Sequence, residues 1–166
     1  GDFQILVLAP STVQEMVDLV SDAFDLADQY RMPAMILADG MLGQMMEPVV
    51  LPDNLEKKLP EKPWAASGHH NARKHNVINS LYLTPQALES LVRDRYKRYE
   101  VIRAKEQRAE EYLTEDADIV LVAYGASSRV ARSAVNTARK EGLKVGLIRP
   151  ITLWPYPVDV IEKVVG

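Results

Sequence analysis

Cysteine is missing from all 166 residues, which removes disulfides, thiolate zinc sites, cysteine nucleophiles and cysteine-held iron–sulfur clusters from this chain's own chemistry. Aromatic residues are scarce at 7%. No apolar run approaches the roughly 20 residues that a membrane-crossing helix needs, and no signal peptide is visible. There is no excess of one charge either: a net charge of −3 with 26% charged residues gives no electrostatic argument for nucleic acid or an anionic membrane surface. What remains is an ordinary globular composition, 47% hydrophobic, enough for a buried core in one or two small domains. The absence of disulfides is consistent with the cytoplasm. Both ends read as cut, because Gly1-Asp2 leads at once into "FQILVLA" and "VDVIEKVVG" stops soon after a helix begins; the expectation is a piece of a longer chain.

Two stretches repeat one grammar. Ile5 to Ala9 is an apolar run of strand length closed by Pro10. Ser11 or Thr12 then offers a helix cap, with Gln14 or Glu15 three residues on. Met16, Val17, Val20, Phe24 and Ala27 recur at helical spacing, and "AMILA" (34–38) supplies a second strand. After residue 114, "DIVLVAYG" is a strand, "ASSRVARSAVNTARKEG" a helix faced by Val130, Ala131, Ala134, Val135 and Ala138, and "KVGLIR" the next strand. Each stretch is a βαβ unit with parallel strands. The expected pairs are 5–9 with 34–38 and 119–123 with 145–149, in two separate sheets. Between the units, the proline-bearing, aperiodic 48–76 predicts an extended connection. Thr84-Pro85 opens a helix of roughly 27 residues whose narrow stripe is Leu88, Leu91, Val92, Tyr99 and Ile102. The fold class is thus α/β, two βαβ units from parallel three-layer domains joined by a linker and a long charged helix, divided at 1–50, 51–113 and 114–166.

Candidate site residues follow from position. In parallel sheets, ligands meet the carboxyl ends of strands, which places Asp39-Gly40 of "DGMLGQMMEP" where chemistry or contacts often occur, with Gly40 and Gly43 allowing close backbone approach and Met41, Met45 and Met46 an adaptable apolar surface. A tight turn with gap-filling methionines competes with that reading. Gly125, Ser127, Ser128 and Arg129 sit where a strand meets a helix, so amides, hydroxyls and a guanidinium could hold an anion there; a serine cap with a surface arginine competes. The spacing fits neither Gly-x-Gly-x-x-Gly nor the phosphate loop, and no Gly-x-Ser-x-Gly elbow occurs. His69, His70 and His75 have no metal-ligand spacing and read as a polar loop.

"VLAPSTVQEMVDLVSDAFDLADQYRMPAMILADGMLGQMMEPV", "NVINSLYL" and "EDADIVLVAYGASSRVARSAVNTARKEGLKVGLIRPITLWPYP" together resemble the alpha subunit of 2-oxoacid:ferredoxin oxidoreductases, closest to the branched-chain type that acts on 2-oxoisovalerate. The resemblance covers nearly the whole chain, and "GLIRPITLWPYP" is its most specific mark. It implies that residues 1–50 are the C-terminal part of a pyrimidine-binding thiamine diphosphate domain. Residues 114–166 would then begin a transketolase C-terminal-like domain. It also implies a cytoplasmic hetero-oligomer in which beta and gamma or ferredoxin-like subunits carry the diphosphate and Mg²⁺ site and the iron–sulfur clusters, with CoA and ferredoxin as reaction partners. The resemblance implies that Asp39, Gly40, Met41, Gln44 and Glu47 form a cofactor-proximal or interface surface, and that Arg149, Trp154 and Tyr156 are interdomain packing residues. The family's pyrimidine-activating glutamate and its "Pro-Ile-Thr-Pro" stretch are absent, as is any Gly-Asp-Gly diphosphate motif, so no catalytic residue carries over and no cofactor is expected on this chain alone. A transketolase or dehydrogenase beta-type fragment, and a non-catalytic α/β interaction module, are the alternatives.

Overall fold

The structure is a computed structural model and describes residues 4–51 and 61–166; residues 52–60 of the 48–76 connection lie outside the described residues. Strand β1 (Leu6–Leu8) pairs in parallel with β2 (Ala34–Ile36), and β4 (Ile119–Val122) pairs in parallel with β5 (Val145–Pro150). No pairing joins β2 to β4. The described strands form two three-stranded sheets, as the two separate apolar pairs predict.

Helix α1 (Val13–Tyr30) starts at Thr12, whose side chain accepts from the Glu15 amide, and ends at Arg31 in the left-handed region, φ 48°. Nothing between those ends breaks the helix, because the span holds neither glycine nor proline. Its buried stripe is Leu19, Ala23, Leu26 and Tyr30, packed with Leu6, Leu8 and Ile102 in one core. That corrects the expected face: Phe24 is 72% and Val20 42% exposed. The helix carries two apolar stripes about 100° apart, and periodicity alone does not say which one the sheet takes. Helix α4 (Gly125–Lys140) covers the second sheet through Val135, with Ala131 and Ala138 beside it. It ends where Gly142 adopts φ +86° and the Leu143 and Gly142 amides return to the Ala138 and Arg139 carbonyls, the paired closure that a glycine after the last turn permits. Val130, expected on the buried face, is 66% exposed.

Helix α3 (Pro85–Lys105) is shorter than its charge pattern predicts, and Ala109–Tyr112 is strand β3, antiparallel to β5. The short apolar segment that follows the chain's turn, β6 (Thr152–Trp154), leaves the second sheet and pairs antiparallel with β1. Between them Ile151 accepts from the Ala9 amide at 2.8 Å and donates to the Arg108 carbonyl at 2.9 Å. Pro150, Pro155 and Pro157 are fully buried, so the prolines that halt one ladder also steer the chain into the other. Because β5 and β6 run on continuously and β6 opposes β1, the carboxyl ends of the two parallel pairs face each other. Two short helices complete the chain, α2 (Gly40–Gln44) after β2 and α5 (Val158–Val165) at the end.

The closest backbone approach in the second sheet is at Gly146, in the middle of β5. A Cβ there would lie 2.6 Å from the Leu113 carbonyl oxygen, whereas at Gly125, φ +59°, it would meet Asp39 Oδ2 at 3.6 Å. The strand-to-helix position of Gly125 marks it from sequence as the least replaceable residue of the second half, and its positive φ agrees with strain there, while Gly146 is the more crowded of the two glycines. Gly146→Ala is expected to cost about 2–4 kcal/mol and Gly125→Val about 1–3 kcal/mol. Denaturant midpoints of the two variants test that order.

Candidate active-site wall at facing strand ends

Asp39 ends the turn after β2 and caps α2: its Oδ1 accepts from the Leu42 amide at 2.8 Å, and its Oδ2 accepts from the Ala126 amide in the first turn of α4 at 3.2 Å. Glu47 closes the same segment in the same way. Its Oε2 accepts from the Val13 amide at the start of α1 at 3.0 Å, and its Oε1 takes the Arg129 guanidinium at 2.8 Å. The 39–47 segment is therefore held by a carboxylate at each end against the first turns of α1 and α4, where unpaired amides and the helix dipole favour negative charge. Hydrogen bonds from Leu42 first, then from Ala126 and Met41, hold Asp39 below its ordinary value, and those from Val13 and then Arg129 do the same for Glu47.

The sequence treats the 39–47 loop and the 125–129 turn as two candidate sites, and the structure brings them together. The anions at the 125–129 turn are the chain's own: Asp39 at the Ala126 amide and Glu47 on Arg129. Ser128 is buried and its hydroxyl donates to the Gly125 carbonyl at 2.7 Å, while Ser127 stays exposed. Between Leu37–Asp39 and Val122–Gly125 with Ser127 opens a cleft of about 490 Å³. Met41 is 58% and Met46 98% exposed, so the segment presents soft apolar surface next to that cleft, with Gly40 and Gln44 exposed beside them.

A second cluster lies behind the same strand ends. Arg149 is only 8% exposed. Its Nη1 and Nη2 take the two oxygens of Glu15, each at 2.9 Å, and its Nε takes Glu110 at 2.8 Å. Glu110 stands directly across the β3–β5 ladder from Arg149 and also takes Arg132 of α4. Glu15 in turn accepts from both the amide and the hydroxyl of Ser11, at 2.7 and 3.0 Å. Burial pushes Glu110 upward, but hydrogen bonds from Arg149 and Arg132 outweigh it and leave the group below its ordinary value. Trp154 joins the junction by an edge-to-face contact with Tyr99, 5.5 Å between ring centres, whereas Tyr156 is 43% exposed and stands outside it.

Sequence reasoning names Arg149 but not its partners. Glu15 was visible as the acid of a capping box; here its oxygens go one residue further back, to Ser11, and across the chain to Arg149. Glu110 was hidden because its segment reads as the end of a charged helix. His69 and His75 touch edge to face at 4.2 Å, and His69 Nδ1 accepts from the Asn71 amide at 3.0 Å. Among the described residues no group of three or more histidines or carboxylates could hold a metal ion. Asp39 and Glu47 already serve amides and a guanidinium on both oxygens, so these residues do not fit the ligand set of a diphosphate-bound Mg²⁺.

Two outcomes follow from this geometry. Arg149→Ala leaves two carboxylates facing each other without their common partner and is expected to lower stability by about 2–4 kcal/mol, somewhat under a fully buried pair because Glu110 is partly solvated. Arg149→Lys should recover less than half of that, since an ammonium cannot reproduce the three-point fork; equal stability of wild type and Arg149→Ala in urea would refute the assignment. The pH dependence has a definite sign. Asp39 and Glu47 are depressed in the folded chain, so the stability they add is present above their ordinary values, 3.8 and 4.5, and is lost as pH falls below them. Amide hydrogen exchange at Val13 and Ala126, corrected for intrinsic rates, should accelerate below about pH 4 before the core amides respond.

Residues 1–113 match the family described as "Pyruvate flavodoxin/ferredoxin oxidoreductase, thiamine diP-bdg", and residues 117–166 match "Pyruvate:ferredoxin oxidoreductase core domain II". The chain is 50% identical over 163 residues to the ketoisovalerate oxidoreductase subunit VorB of Methanothermobacter marburgensis, covering 98% of this chain and 46% of that one. It is 34% identical over 190 residues to the 2-oxoglutarate synthase subunit KorA of Methanocaldococcus jannaschii, covering 98% of this chain and 50% of that one. The chain thus spans about half the length of these curated relatives. Its fold matches a solved 2-oxoglutarate:ferredoxin oxidoreductase from Magnetococcus marinus, with 2-oxoglutarate, coenzyme A and succinyl-CoA bound, at TM-score 0.73 and 22% identity over 99% of this chain and 33% of that chain. The chain belongs to the thiamine-diphosphate-binding family of pyruvate flavodoxin/ferredoxin oxidoreductases.

Proposed function

We propose that this chain is part of the alpha subunit of a 2-oxoacid:ferredoxin oxidoreductase of the branched-chain type. The observation that carries the reading is the 39–47 segment, anchored by Asp39 and Glu47 at facing strand ends so that its methionines point outward beside a cleft. The 50% identity to a ketoisovalerate oxidoreductase subunit, against 34% to a 2-oxoglutarate synthase subunit, favours 2-oxoisovalerate as the substrate. The reaction of the whole enzyme is a 2-oxoacid plus CoA plus two oxidised ferredoxins giving acyl-CoA, CO₂, two reduced ferredoxins and a proton. Thiamine diphosphate supplies the stabilised carbanion that decarboxylation requires.

In this reading residues 1–50 close the pyrimidine-binding domain, 51–113 connect and 114–166 begin the transketolase C-terminal-like domain. The chain's role is to shape and dry one wall of the cofactor cleft and to meet a beta subunit that holds the diphosphate and Mg²⁺. Iron–sulfur clusters and the ferredoxin contact belong to gamma or ferredoxin-like partners. No helix among the described residues is long and apolar enough to cross a membrane, and a cytoplasmic assembly fits that.

The full-length subunit, co-expressed with its partner subunits, should reduce ferredoxin in the presence of CoA with kcat/KM at least tenfold higher for 2-oxoisovalerate than for 2-oxoglutarate. The reverse preference would overturn the branched-chain assignment, and no 2-oxoacid-dependent reduction would overturn the reading. Calorimetry of this 166-residue chain alone with thiamine diphosphate and Mg²⁺ should show no saturable heat at micromolar concentrations; a one-site isotherm would place a complete cofactor site within it.

A further inference from the structure

At the amino ends of β1 and β2, opposite to the strand ends that line the cleft, a cavity of about 520 Å³ opens between the turn after α1 and α3. Its size lies in the range of roughly 300–1,000 Å³ that small-molecule sites occupy. Three arginines line it, Arg31, Arg95 and Arg98, and among the described residues no acidic side chain does. Most other arginines hold carboxylates, among them Arg93 with Glu89, Arg103 with Glu100, Arg108 with Asp22 and Arg129 with Glu47, while Arg73 goes to backbone carbonyls. Among the described residues no carboxylate pairs with any of the three in the cavity.

Two of them have other duties that fix their positions. Arg31 lies over the Trp64 ring, 4.7 Å from its centre. Arg98 Nη1 donates to the Tyr30 and Arg31 carbonyls at 3.2 and 3.3 Å, capping the end of α1 and leaving its other donors open. Arg95, half-buried on α3 and lining the cavity, makes no hydrogen bond or ion pair among the described residues, so its donors are uncommitted. The remaining lining is mixed. Leu91 and the buried Tyr99 form an apolar floor. Asn79 accepts from the Leu81 amide through Oδ1, which turns its NH₂ group, two more donors, outward. Tyr82 is 39% exposed at the edge. Several guanidiniums and an amide donor beside an aromatic and aliphatic floor suit a molecule with a phosphate head and a flat or apolar body, since guanidinium forks match phosphate oxygens two at a time.

We propose that this cavity is a binding site for an organic phosphate of nucleotide size, separate from the strand-end cleft. Arg95 and Arg98 hold the phosphate, and Asn79 and Tyr82 meet the organic body. The site stands on its own residues and does not depend on the oxidoreductase reading.

Calorimetric titration of ADP into the full-length protein and into its Arg95→Ala variant tests this, the variant separating this cavity from any other phosphate site. Saturable binding is expected, weakened at least tenfold by Arg95→Ala, with the thermal midpoint unchanged because Arg95 has no partner to lose. Leu88→Glu, at a 43% exposed position on the cavity's edge, should abolish binding by placing a carboxylate among the guanidiniums. Pyrophosphate alone should bind more weakly than ADP, and adenosine not at all. Binding unaffected by either substitution would overturn the site, as would no saturable heat at millimolar ADP. Pyrophosphate equal to ADP would overturn the organic part of the assignment, and an acidic peptide that outcompetes ADP would overturn the ligand class.

Discussion

A single guanidinium sets how the two sheets meet. Arg149 closes a strand of one sheet and grips the first turn of the helix that covers the other, and Glu110 beside it fixes the direction in which the fork points. An arginine so deeply buried is tolerable only when each of its donors is answered, because the desolvation it suffers is repaid only by near-ideal geometry. That requirement propagates. Glu15 must stay at the third helical position, Ser11 must bring its amide and hydroxyl to the Glu15 carboxylate, and β3 must lie beside β5 so that a carboxylate stands opposite. The junction of the chain is thereby specified by charge rather than by apolar contact, and a slip of one residue in β3 would turn Glu110 away from the fork.

The carboxylates of the 39–47 segment work on the same logic nearer the surface. Both helices that follow a parallel strand begin with open amides, and in many α/β proteins such positions receive a ligand's negative charge. Here the chain supplies Asp39 and Glu47 itself. The consequence is a rigid rim: the methionine-bearing loop is pinned at both ends and by the buried Leu42, and it leaves Met41 and Met46 exposed. Soft, unbranched side chains on a fixed backbone adapt to a partner without requiring the backbone to move.

Much of this was legible from residues alone, and the limits have physical causes. The parallel pairs and a helix cap at Ser11 or Thr12 rest on local rules, namely strand-length apolar runs and a capping hydroxyl. The buried side of α1 was not legible, because Val20 and Phe24 form a stripe as apolar as that of Leu19, Ala23 and Leu26, and only the sheet decides between them. Strand β3 was hidden for the opposite reason: "AEEY" has weak strand propensity and is a strand through its pairing with β5 and its service to Arg149. Of the site, positions at strand ends were readable from the β–loop–helix order, but the pairing of Asp39 with Ala126 and of Glu47 with Arg129 spans more than eighty residues, beyond the reach of any local pattern.

The two strands that cross over carry a consequence for how such a chain can be inherited. The family matches divide it between residues 113 and 117, yet β3, which precedes that point, lies in the second sheet, and β6, which follows it, lies in the first. Each half lends the other an edge. Recombination between related genes at that seam would therefore exchange strands along with their neighbours, and a hybrid would fold well only if Glu15, Glu110 and Arg149 arrived as a compatible set. In this fold the unit that can be shuffled is larger than the unit that sequence similarity outlines.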